Sequence, residues 1–198
     1  MGIFPTPKTV SILSRQAPFT TAIKLTFLLS MLLTVFALTG CGEKSDLVVV
    51  VGRSLELHAT PPEIVEKVAF RDTTGAHRII RPRASNRQLA VVKLTVVNRT
   101  ALVTSLVIDG EAAKLGDRRG ERIEAIDPFA DSSPADGATP EEDLYAPFLR
   151  GEVELDRNFQ VEGYIVFDVP KGLILGSLFW DEVDAIVVDF VDYSSRRP

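Results

Sequence analysis

The chain is poor in cysteine and histidine. Its 198 residues include one cysteine, Cys41, so no disulfide forms within it and the fold must rest on its core. Two histidines, His58 and His77, are too few for most metal centres. Gly-x-Ser-x-Gly and His-Glu-x-x-His are both missing, and no second cysteine is available as a nucleophile. These signatures of acyl-transfer and zinc-hydrolase chemistry are therefore lacking. No catalytic, cofactor-binding or metal-binding residue is assigned, and no enzyme activity is expected. Beyond residue 40 no stretch shows the apolar period of a helix longer than a turn or two. Acidic residues are absent before Cys41, although Lys8, Arg15 and Lys24 stand there.

After Lys24, residues 25–38 run without charge, glycine or proline. A membrane span needs about 20 apolar residues, so this run is short for one. It suits the apolar core of a secretory signal behind a positive leader. The run ends in Leu38-Thr39-Gly40-Cys41. This tetrapeptide resembles the lipobox of bacterial lipoproteins: an aliphatic residue, two small ones, then cysteine. The resemblance implies that the Cys41 thiol carries diacylglycerol and that the chain is cut before Cys41. It also implies fatty acyl chains, palmitate among them, as the membrane anchor. Each buried methylene contributes ~0.8 kcal/mol, and two or more chains make anchoring stable. Residues 1–40 are then a signal peptide and the rest an exported, lipid-anchored cargo. Gly42 rather than Asp after the cysteine points to the outer membrane in an organism that has one.

Removing residues 1–40 takes away Lys8, Arg15 and Lys24 and no acid, which leaves 19 basic and 27 acidic residues and a net charge of −8. That balance argues against nucleic acid as a partner, because phosphate binding runs on Lys and Arg. The remaining length suits one domain. Residues 41–53 read as the lipidated cysteine, a polar tether and a first short strand at Leu47–Val51. Residues 54–198 read as a β-sandwich.

Strand patterns follow one another through that region. Ser54–Ala59 alternates, and Thr60-Pro61-Pro62 breaks it. Val65–Phe70 and His77–Arg81 flank a turn at Asp72-Thr73-Thr74-Gly75. Gln88–Asn98 is the strongest strand, with Ala90, Val92, Leu94 and Val96 on one wholly apolar face. Asn98-Arg99-Thr100 ends it as a polar turn. Ser105–Ile108 is weaker. Ala112–Leu115 and Glu121–Ile126 flank a Gly-rich turn. Val161–Val169 puts Val161, Gly163, Ile165, Phe167 and Val169 on one face. Ala185–Val191 is the last strand, and Trp180 is assigned to the loop before it, covering one end of the core. Residues 127–150 mix six acids with Pro128, Pro134 and Pro140. The acids lack the regular spacing of a calcium loop, so a solvated, poorly ordered loop, dispensable for folding, is expected. His77 is expected to be a plain exposed strand residue. Many short strands separated by turns point to an all-β, antiparallel sandwich.

Three stretches in order carry a second resemblance. Lys93–Asn98 ends in Val-Val-Asn. Leu115–Ile123 has the pattern Leu-x-Asp-x-x-Gly-x-x-apolar. Gly163–Pro170 has Gly-x-x-x-Phe-x-Val-Pro. Behind a lipobox, the trio resembles the telokin-like, immunoglobulin-fold domain of unknown function of bacterial exported lipoproteins, over residues 54–191. The resemblance implies an immunoglobulin-like sandwich and supplies no catalytic residues. The expected function is a non-catalytic binding or structural module of the cell envelope. Its partners would be membrane lipid through Cys41 and an envelope protein or ligand. The alternatives are a periplasmic chaperone or assembly factor and a carboxylate-dependent hydrolase. Tyr145, Phe148 and Trp180 are the candidate interaction surface.

Overall fold

The computed structural model describes residues 47–117 and 120–191. The expected signal segment and lipobox, with Cys41, lie outside them. Among the described residues there are fourteen strands and no helix. All the strand pairings within the sheets are antiparallel.

The central sheet is organised around β6 (Arg87–Asn98) and β12 (Gln160–Pro170), which pair along their whole length. On the other edge of β6, β2 (Leu55–Ala59) pairs with its second half and β3 (Glu63–Val65) with its first. The strand β1 (Val48–Val51) extends the sheet beyond β2. It is therefore part of the folded sheet and not only the end of a tether. A second sheet has the order β14 (Ile186–Asp189), β13 (Ser177–Trp180), β8 (Ala113–Gly116) and β9 (Arg122–Glu124). A ribbon of β7 (Val103–Ile108) and β11 (Gly151–Asp156) adds Leu106, Ile108 and Leu155 to the core between them.

That main core contains Ala90, Val92, Leu94 and Val96 of β6 together with Ile165, Phe167 and Val169 of β12, as the alternation in the sequence requires. The opposite face is also covered. A small sheet of β10 (Ser133–Pro134), β5 (His77–Ile80) and β4 (Val68–Arg71) packs Val68, Phe70 and Ile80 against Leu89, Val91 and Val166. Residues 89–92 of β6 are consequently all buried, as expected of a strand covered on both faces. The described strands are sandwich-like, with an extra layer over the first half of β6.

Polar locks fix the ends. The Asp184 carboxylate, 9% exposed, accepts from Ser54 N at 2.6 Å and Leu55 N at 2.8 Å, which ties the loop before β14 to the start of β2. Asn98 is fully buried. Its Nδ2 donates to the carbonyls of Ala101 and Leu155, and its Oδ1 accepts from Ala101 N. Gly163 is required by close approach: a Cβ there would stand 2.8 Å from Pro147 O and Leu149 N.

Several expectations need correction. Val65–Phe70 is two strands, because the chain leaves the central sheet at Val65, opposite Leu89, and joins the small sheet at Val68, opposite Ile80. Trp180 is in strand β13 and not in a loop. That strand is buried at every position, so it shows no alternation to read. β11 and β10 have no counterpart in the sequence reading.

The acidic segment 127–150 is not a solvated, loose loop. Its β10 pairs with β5, and Asp143 N donates to Ala69 O at 3.0 Å. Leu149 enters the main core and Tyr145 the smaller one. Its acids are held by cations: Asp127 by Arg150, Asp131 by Arg83, Glu141 by Lys67, and Glu142 by Arg71. His77 Nδ1 lies 2.5 Å from Glu142 Oε2, so it is a latch on this segment and not a plain exposed residue.

Candidate functional site

At the end of the central sheet where β6 begins and β12 ends, the chain forms an open cleft of about 590 Å3. One wall is Ile64, Val65 and Glu66, where the chain passes from β3 towards β4. The other is the β5–β6 connection, represented by Arg81, Pro82, Ala84 and Ser85. Arg87 and Gln88 of β6 and Lys171 after β12 complete it. Pro82 has no N–H for a ladder, so β5 stops at Ile80 and the chain turns out to make this wall. Lys171 is set by a tight turn in which Gly172 has φ +86°, a conformation that favours glycine.

Behind the cleft sits Asp168, only 2% exposed. Its Oδ2 is 3.0 Å from Arg87 Nε and 3.9 Å from Arg83 Nε. The Arg87 Nη2 donates to the Asp168 backbone carbonyl. Neither carboxylate oxygen receives an aligned hydrogen bond, and Arg87 Nε donates none, so proximity of charge and not hydrogen-bond geometry holds the pair. Lys171 Nζ donates to the carbonyl of Ser85 at 2.8 Å, a neutral acceptor. Arg81 is exposed and has no hydrogen-bond or ion-pair partner among the described residues. It also borders a second hollow of about 390 Å3, shared with Lys67, Asp136 and Thr139. At that rim, Glu141's own backbone N–H and then Lys67 hold the Glu141 carboxyl below its usual range. Three cations and one acid thus line the main cleft, beside an apolar wall, in an acidic protein. Such a set attracts and orients an anion.

The residues singled out in the sequence lie elsewhere and do not come together. Trp180 is fully buried in the main core, its Nε1 donating to Glu182 O at 2.7 Å, so it offers no surface. Tyr145 is 8% exposed. Its hydroxyl donates to Glu63 Oε1 at 2.7 Å, and its ring meets Tyr164 edge-on at 5.7 Å. Burial, then the Glu63 carboxylate, push its phenol up to about 12. Phe148 is half-buried, edge-on to Phe70 at 4.9 Å and to Phe129 at 6.1 Å. Tyr145 and Phe148 pin the acidic segment to the outer face of the central sheet.

The cleft residues Arg81, Arg87 and Lys171 went unread. The arginines left a signal in the sequence: Arg78, Arg81, Arg83 and Arg87 fall within residues 73–108, which hold no acid.

No family model matches the chain, and no curated protein matches it. Among solved structures, it is similar to the crystal structure of a protein described as a lipoprotein from Bacillus subtilis, at 13% identity with a TM-score of 0.44. The match covers 74% of this chain and 40% of that one, so the chain spans less than half the length of that structure.

Proposed function

We propose that this protein is a lipid-anchored, exported module of the bacterial cell envelope that binds rather than catalyses, with the cation-lined cleft as its binding surface. The finer fold assignment, an immunoglobulin-like sandwich related to the telokin-like domain of unknown function, belongs to the same reading. The lipobox Leu38–Cys41 supports the anchor. The observation that carries the binding role is the cleft itself: exposed Arg81 and Lys171, in no ion pair among the described residues, stand over an apolar wall in a protein of net negative charge. Partners are membrane lipid through Cys41 and a ligand in the cleft. Nucleic acid is not among them, given the net charge of the exported part.

Two experiments test it. Metabolic labelling with a fatty-acid analogue should mark the wild-type chain and leave Cys41→Ala unlabelled and unprocessed; label on Cys41→Ala overturns the anchor. A photo-reactive residue placed at Ala84 in the cell-borne chain should give an adduct that the same residue at Glu111, beside the second sheet, does not. Equal adducts, or none at Ala84, overturn the cleft as the binding surface.

A further inference from the structure

We infer that the cleft takes an organic oxyanion, a phosphate or carboxylate joined to a small apolar body. This rests on the reading of the cleft as a binding site and names its ligand class.

Five cations elsewhere on the described surface are already paired with acids. Arg71, Arg83, Arg99, Arg150 and Lys93 each face a carboxylate at 2.7–2.9 Å. Arg81 faces none among the described residues, and no hydrogen bond from its guanidinium is seen there. Lys171 uses one of its three donors, on the Ser85 carbonyl. Arg87 is balanced from behind by Asp168, which holds the guanidinium at the mouth without occupying the cleft. A planar guanidinium and an ammonium in one cleft suit an oxyanion, which the guanidinium binds with two parallel hydrogen bonds and the ammonium as a point charge.

The shape argument adds the apolar body. Ile64 is 48% exposed, and with Val65 and Pro82 it gives the cleft an apolar side. A volume of about 590 Å3 exceeds what a bare inorganic ion needs and falls in the range of small-molecule sites. The oxyanion could belong to a lipid headgroup or to a soluble molecule; the chemistry at Arg81 and Lys171 is the same.

The test uses the full chain purified in a non-ionic detergent, with binding followed by calorimetry. The probes are phenyl phosphate, inorganic phosphate, phenol and dihexanoyl phosphatidylglycerol. Phenyl phosphate should bind more tightly than phosphate or phenol, and binding should weaken as salt is added. Arg81→Gln and Lys171→Gln should each weaken it by about tenfold, the loss of one charge-assisted contact. Lys114→Gln, on the second sheet, should leave it unchanged. Circular dichroism checks that each variant is folded. Tighter binding of phosphatidylglycerol than of phenyl phosphate, lost in the same two variants, assigns the lipid source; the reverse order assigns a soluble one, and both support the site. Inorganic phosphate binding as tightly as phenyl phosphate overturns the apolar half. Absence of binding, or binding unaffected by Arg81→Gln and Lys171→Gln, overturns the oxyanion site. If the adduct at Ala84 persists in that case, the ligand class is wrong and the binding reading stands; if the adduct is missing too, both fall.

Discussion

Replacing Asp168 should separate stability from binding in opposite directions. The carboxylate is 2% exposed and lies 3.0 Å from Arg87 Nε, whereas the Arg87 side chain is 31% exposed. Breaking a fully buried ion pair costs about 3–5 kcal/mol, mostly because the surviving charge is left unbalanced. Water reaches Arg87, so its stranded charge is partly solvated, and the cost of Asp168→Ala should fall to about 2–3 kcal/mol. For a domain of this size about 1 kcal/mol moves Tm by roughly 2–4 °C. The melting point should therefore drop by roughly 4–12 °C, read by circular dichroism on the full chain. Because neither carboxylate oxygen has an aligned donor, the double variant Asp168→Leu with Arg87→Met should lie within about 1 kcal/mol of wild type. A double-mutant cycle with Arg87→Ala should return a coupling of about 1–2 kcal/mol. The same Asp168→Ala change removes the negative charge behind the cleft and should tighten binding of phenyl phosphate. A loss in stability under about 0.5 kcal/mol, or a coupling near zero, would show that the pair is incidental and that Arg87 is positioned by its bond to the backbone carbonyl alone.

Three further outcomes follow from packing and titration. Phe167 is fully buried in the main core, so Phe167→Ala should lose about 3–5 kcal/mol in chemical denaturation; under about 1 kcal/mol would mean that face is not core. Replacing residues 130–142 with a short Gly-Ser link should lose about 2 kcal/mol or more, since β10 and the contacts of Asp131 and Glu142 go with it; loop-closure entropy alone would change stability by about 1 kcal/mol or less, and that smaller figure would restore the picture of a loose loop. The Tyr145 phenol is raised from 10.0 to about 12, so the fold favours its neutral form. That contribution is complete below pH 10 and is lost as pH rises through about 12. Tyr145→Phe should flatten the stability profile across that window, and an ultraviolet tyrosinate titration of wild type that shows no group above 11 would contradict it.

The sequence by itself determined the parts that rest on local pattern. Alternation with period two identified the long strands and the face each turns to the main core, because a strand's side chains switch sides at every residue whatever it packs against. The turn before His77 and the Gly-rich turn before Arg122 were legible for the same reason, as local backbone demands. The lipobox-like tetrapeptide Leu38–Cys41 is a linear pattern and needs no fold to be read. What only the tertiary structure decided depends on partners far along the chain. β13 is buried on both sides and shows no period, so Trp180 looked like a loop residue. The acidic segment looked solvated because its charges are neutralised by Lys67, Arg71, Arg83 and His77, some fifty to seventy-five residues earlier. The cleft exists because β5 stops at Ile80, two residues before Pro82, β6 begins at Arg87 and β12 ends before Lys171. Three separate strand ends meet at one edge of the sheet, and composition carries no trace of that meeting.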